Sequence, residues 1–234
     1  LKLNSNIKPY TINRVNSGYN SLNINNSICS ASAIRNALKT DSLETINYTM
    51  PKPTYDLIND TVNSGVNLVY NDDFYQILSS IILRDKDNLT DYFEVNEGIE
   101  NKIYNSIFKC QNIEELQNEI KSKRYTMTKI SRTLNNIMLG IKRDDILKTK
   151  DLKEMPYVRV LAFNDKGCEI LKEIKKNSEI EVITKFSKIK HIDSDIFNTL
   201  INYDIKATNM YSLIYNKSLL KGPMDYITSP KYIK

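Results

Sequence analysis

A mostly α-helical chain with one small βαβ unit, an α+β arrangement, is the fold class that the sequence predicts. Two patterns predict it. Apolar residues recur three and four apart from Phe74 to Ile141, the period of one helix face. Between Tyr157 and Ile183 the period changes to that of two strands around a helix. A strand, a loop and a short helix before residue 50 stand apart from both.

The first of these is Lys8–Val15, which alternates with Tyr10, Ile12 and Arg14 on one side and Thr11, Asn13 and Val15 on the other, and ends in a turn at Asn16-Ser17-Gly18. After a loop at Asn25-Asn26-Ser27, the segment Ala33–Leu38 has helix-forming composition, with Ile34, Ala37 and Leu38 as its apolar positions and Ser30 or Ser32 as N-cap. Met50-Pro51-Lys52-Pro53 breaks any helix and suits an extended connector. A short helix can start at Pro53, and Gly65 interrupts the stretch after it.

Helical signals then dominate. Asn71 and Asp72 cap a stripe of Phe74, Ile77, Leu78, Ile81 and Ile82, and Thr90–Phe93 suits a short helical turn. Ile99, Ile103 and Ile107 recur at spacing four, Asn112 caps a helix with Ile113, Leu116 and Ile120 inward, and a longer helix from Thr126 carries Ile130, Leu134, Ile137, Met138 and Ile141. Tyr157–Phe163 then reads as a strand, Ile170, Leu171 and Ile174 as a helix, and Ile180–Ile183 as a second strand. About sixteen residues join the strands, enough for a parallel crossover over roughly 157–186. Its turn has one glycine and no GxGxxG, which makes the unit a scaffold. Asp193-Ser194 caps a last helix through Ile196, Leu200 and Ile201 into Tyr211, and the residues around Pro223 and Pro230 read as a loose tail.

Composition narrows the function classes. Hydrophobic content of 41% and charged content of 26% are those of an ordinary globular protein, and no apolar run approaches the roughly 18 to 20 residues of a membrane span, so a cytoplasmic location is expected. Cys29, Cys110 and Cys168 have no metal or redox spacing and read as free thiols, and the lone His191 has no nameable partner, so no metal site is expected. Net charge of +5 permits an acidic partner. Abundant Asn, Ile, Lys and Tyr point to an A+T-rich genome, so the placement of lysines carries more information than their number.

Two sets of residues are candidates for chemistry. Ser30, Ser32 and Arg35 place two hydroxyls and a guanidinium where a helix begins, and a helix start with an arginine in its first turn favours a phosphate or carboxylate. Arg14, with Val15 beside it, would reach the same crevice from the carboxyl end of its strand. The plain alternative is a Ser-capped surface helix. The second set lies between Lys121 and Lys150, where Lys123, Arg124, Lys129 and Arg132 flank the apolar stripe and Tyr125 offers a ring for stacking, a pattern that suits RNA phosphates or else a solvated basic face.

The order KPYTINRV, SASAIRNAL, FEVNEGIENKI, KSKRYTMTKISRTLNNIML, PYVRVLAFNDKG and IKATNMYSLIY resembles the C-terminal part of the bacterial tRNA(Met) cytidine acetate ligase family over about Lys8–Tyr215. That resemblance implies an ATP-dependent, cytoplasmic ligase that activates acetate as acetyl-adenylate, with ATP as its magnesium complex, and forms N4-acetylcytidine at the wobble position of elongator tRNA(Met). It places Arg14, Val15, Ser30, Ser32 and Arg35 at the nucleotide, with Ser32 where the family's SxTxxR-like start has threonine. It also makes residues 1–50 the remnant of a Rossmann-like nucleotidyltransferase domain and residues 51–234 a helical, tRNA-binding domain. The family's EYNPFHNGH-type loop has no counterpart here, the chain opens on Leu1, and catalytic residues are therefore not assigned. The expectation is a fragment, inactive alone, that works with a missing N-terminal domain. A non-catalytic RNA-binding or assembly domain, or another small-acid nucleotidyltransferase, are the competing readings.

Overall fold

In the computed structural model the described residues are 8–13, 22, 24, 26–40, 42–189, 194–215 and 223–233. By contacts the chain divides into two units, one ending at Asn67 and the other beginning at Leu68. This division lies beyond Pro51, because the helix after that proline packs with the residues before it.

In the first unit, α1 (Ala31–Thr40) buries Ala33 and Ala37 and packs on a 3-10 helix at Leu43–Thr49, which contributes Ile46. Instead of remaining an extended connector, Lys52 opens α2 (Lys52–Asn63), with Pro51 as N-cap. Proline is tolerated there because the first helical N–H groups have no intrahelical acceptor. The strand expected at Lys8–Val15 is not formed in the described part, 8–13, where Tyr10 and Ile12 are exposed. Alternation gives a segment two faces, but a strand needs a hydrogen-bonded neighbour, and none is paired with this one among the described residues.

The second unit is built on one helical core. Packed together are α3 (Tyr75–Arg84), α4 (Ile99–Ser106), α5 (Ile113–Ile120) and α6 (Met127–Leu139), with 3-10 turns at Asn71–Phe74 and Lys86–Asp91. Their stripes interdigitate through Leu78, Ile82, Leu116, Ile130 and Ile137, all at most 1% exposed. Two of the caps the sequence marks are observed: Asn112 Oδ1 accepts from Glu115 N–H at 2.8 Å and Thr126 Oγ1 from Lys129 N–H at 3.3 Å. The cap expected at Asn71 and Asp72 is not the one observed: α3 starts with Phe74 as N-cap and no side-chain cap bond, and Asp72 accepts from Ile113 N–H at 3.1 Å, tying the start of α5 to the turn before α3. Gly140 ends α6 at φ +70°, a left-handed position that glycine adopts without a Cβ penalty.

α7 (Arg143–Thr149) leads to the βαβ unit. Strand β1 (Tyr157–Arg159) pairs in parallel with β3 (Glu181–Ile183), in register Tyr157↔Glu181, Val158↔Val182 and Arg159↔Ile183, and α8 (Asp165–Asn177) makes the crossover. The strand expected over Tyr157–Phe163 is two. After Val160 N–H donates to Ile183 C=O the chain changes sheet, and β2 (Ala162–Phe163) pairs in parallel with β4 (Lys231–Tyr232). The tail is therefore not loose where it is described. Pro223 caps α10 (Met224–Ile227), and Lys231 and Ile233 N–H donate to the carbonyls of Leu161 and Phe163. Ser194 caps α9 (Asp195–Tyr215), its Oγ accepting from Phe197 N–H at 3.3 Å. Phe197 and Ile201 of this helix join Ile183 and Phe186 in a second, smaller core. Among the described residues, no helix is long and apolar enough to cross a membrane.

Candidate functional site

At the start of α1, Ser30 is the N-cap: its Oγ accepts from Ala33 N–H at 3.0 Å and its carbonyl from Ile34 N–H at 3.1 Å. The cap holds Ser30 buried and leaves Ser32 half-buried and Arg35 exposed, with no ion pair to Arg35 among the described residues. An uncompensated guanidinium beside the positive end of a helix fits one phosphate group. Arg14 and Val15 lie outside the described residues, as does His191.

The basic residues around α6 are arranged differently. The loop before α4 turns through two non-glycine residues in the left-handed region, Glu94 (φ 63°) and Glu97 (φ 61°), followed by Gly98 (φ 85°). Such a backbone costs free energy and persists where its surroundings hold it. Here Asn136 Nδ2 donates to Phe93 C=O at 2.9 Å, Arg143 Nη2 to Val95 C=O at 2.9 Å, and the Tyr125 hydroxyl to Glu97 C=O at 2.6 Å. The loop then turns both carboxylates toward the cations. Arg132 Nε meets Glu94 at 3.0 Å, while Lys129 Nζ and Arg124 Nε meet Glu97 at 3.4 and 3.7 Å. Three of the four sequence-selected RNA candidates are thus engaged within the protein, and only Lys123 has no such partner among the described residues. Tyr125 is 6% exposed, packed in the helical core, so its ring is not available to stack on a base.

Around the βαβ unit, charged residues and two cavities lie side by side. The Arg159 guanidinium pairs with Asp225 and stands over the Phe186 ring at 4.7 Å. Asp225 is 3% exposed, and its second carboxylate oxygen has no hydrogen bond among the described residues, beside a small cavity of about 70 Å³. An adjoining open cavity of about 430 Å³ shares Thr184, Lys185, Ser229 and Pro230 with it and adds Lys172, Lys175 and Lys188. Sequence reasoning missed these lysines. A signal existed, since Cys168, Leu171, Lys172 and Lys175 recur at helical spacing and leave Glu169 and Glu173 off that face. A further cavity of about 860 Å³ between α7, β1 and α9 is mainly apolar, lined by Ile141, Ile146, Leu152, Met155 and Leu200, and the hydroxyls of Tyr157 and Tyr203 beside it are engaged by Asp204 and Asp145. Burial, more than those carboxylates, pushes both phenols above their usual range.

This small helical unit with a βαβ appendage belongs to a recognised class. A model of the HIGH nucleotidyl transferase family matches residues 1–223, and the chain belongs to that family. Within it the chain is a homologue of tRNA(Met) cytidine acetate ligase. It is 45% identical to the one from Clostridium acetobutylicum over 96% of this chain and 52% of that protein, and 40% identical to the one from Clostridium perfringens (strain ATCC 13124) over 98% and 54%. The chain thus spans about half the length of the curated relatives it matches. Among solved structures, apo Thermotoga maritima TmcAL (form I) superposes with a TM-score of 0.87 at 25% identity, covering 99% of this chain and 57% of that one. The same protein bound with α-thio ATP (form II) gives 0.75 at 25% identity, over 88% and 52%.

Proposed function

We propose that the chain is part of an ATP-dependent tRNA(Met) cytidine acetate ligase, with the start of α1 facing the nucleotide and the unit from Leu68 holding the tRNA. The observation that carries this reading is the continuous likeness to the Clostridium acetobutylicum ligase, 45% over 228 residues, across both units. Arg35, the Ser32 hydroxyl and the N–H groups opening α1 fit one phosphate, and Arg14 would add a second cation. ATP, when bound, supplies the activation of acetate that an amine nucleophile requires. The residues of this chain bind and orient its phosphates.

The test is made on the intact protein. Arg35→Ala and Arg14→Ala each remove a charged donor contributing about 1.5 to 3 kcal/mol, so acetate-dependent release of pyrophosphate from ATP falls roughly tenfold or more in each. Wild-type rates in both would remove these residues from the nucleotide site. Mass spectrometry of tRNA(Met) digests for acetylated cytidine checks the whole reaction.

A further inference from the structure

We infer that the cavity framed by α8, the 3-10 helix Phe186–Lys188 and residues 228–230 docks the phosphate backbone of RNA. The inference deepens the tRNA-binding part of the proposed function and rests on it. Its basis is charge that nothing among the described residues neutralises.

Ten residues line the cavity, four of them lysines and none acidic. Lys172 and Lys175 come from one face of α8, Lys185 and Lys188 from the turn after β3, so two elements bring lysines to the rim of one space. None of the four has an ion pair among the described residues. Acids of the neighbouring elements have other partners or lie outside the lining. Asp225 is paired with Arg159, Asp165 accepts from the Tyr232 hydroxyl, Glu173 from Asn177 Nδ2, and Glu169 lies off the cavity-lining face of α8. Thr184 and Ser229 add hydroxyls, which donate to phosphate oxygens.

Like charges gathered without counter-charge repel one another, and a polyanion relieves that repulsion while releasing its own counterions. The volume suits successive phosphates of a strand that passes over an open mouth. Lysine contacts of this kind position RNA and carry no base specificity. The cations of α6 make the opposite case, since an incoming phosphate would have to displace Glu94 and Glu97.

The experiment titrates labelled tRNA(Met) against the full chain over a range of salt, for wild type, for Lys172→Gln/Lys175→Gln/Lys185→Gln/Lys188→Gln, and for the matching fourfold Arg variant. The Gln variant is expected to bind at least tenfold more weakly near 0.1 M salt. Its log–log salt slope should be lower by roughly 0.7 to 0.9 for each phosphate no longer neutralised, and the Arg variant should keep both values. Circular dichroism establishes that the variants are folded, as these lysines are not in the core. Unchanged affinity and slope in the Gln variant, with the wild type binding, would overturn the inference and leave the tRNA reading standing. Failure of the wild type to bind tRNA(Met) at low salt would overturn both.

Discussion

The face of α6 and the cavity beside α8 carry similar numbers of cations and differ in what surrounds them. Around α6, Arg124, Lys129 and Arg132 meet two glutamates held in a left-handed turn, and the neighbouring Lys142 meets Asp91 and the Tyr92 ring. Beside α8, four lysines line one space without a carboxylate. A basic cluster binds a polyanion only with the charge left after internal pairing, so availability rather than count separates the two.

The largest expected effect tests a second difference between these regions, the burial of their ion pairs. Arg159→Met leaves the Asp225 carboxylate buried without its cation, which should cost about 3 to 5 kcal/mol of stability, whereas Arg132→Met breaks a pair whose arginine is 59% exposed and should cost less than about 1 kcal/mol. Urea unfolding of both variants measures the gap. Equal losses would erase the distinction between the regions.

A smaller effect comes from converting one region into the other. Glu94→Gln with Glu97→Gln releases three cations, and tRNA affinity near 0.1 M salt should rise several-fold, with a salt slope steeper by about 0.7 to 0.9 per cation that reaches a phosphate. Titration of the double variant against wild type reads this directly, and an unchanged slope would place the α6 face outside the RNA path.

The smallest is a pH effect in the helical core. Hydrogen bonds from Arg84 and then Tyr92 hold the Asp85 carboxyl down at about 2, against an ordinary 3.8. The stability it contributes is complete above about pH 4 and is lost as pH falls through about 2. Arg84 is 69% exposed, so solvent screens that pair and its share of the effect is small. Burial first, and the bond to Asp85 second, push Tyr92 up from 10 to about 12, so its contribution is lost as pH rises through that interval. Asp85→Asn should flatten the acid limb between about pH 4 and 2 in pH-dependent unfolding.

How far the sequence was legible depended on how local each signal was. The Asn112 cap with Ile113, Leu116 and Ile120, the Thr126 cap and the βαβ crossover could all be read, because period and cap chemistry act within a few residues. Tyr157–Phe163 looked like one strand, since its division is set by β4, far along the chain. Lys8–Val15 alternates without a partner strand in the described part, and alternation alone does not make a sheet. At the site, the basic run from Lys121 was visible, but its counter-charges lie 32 and 38 residues upstream for Lys129 and Arg132. The α8 lysines were hidden for the converse reason, as their carboxylates are close in sequence and on other faces in space.

Lysine acetylation footprinting of the chain with and without tRNA(Met) measures availability residue by residue. Protection of Lys172, Lys175, Lys185 and Lys188, with the modification rates of Lys129 and Lys142 unchanged, is the expected result. Protection of Lys129 and Lys142 with the α8 lysines still reactive would contradict it and return the RNA to the α6 face.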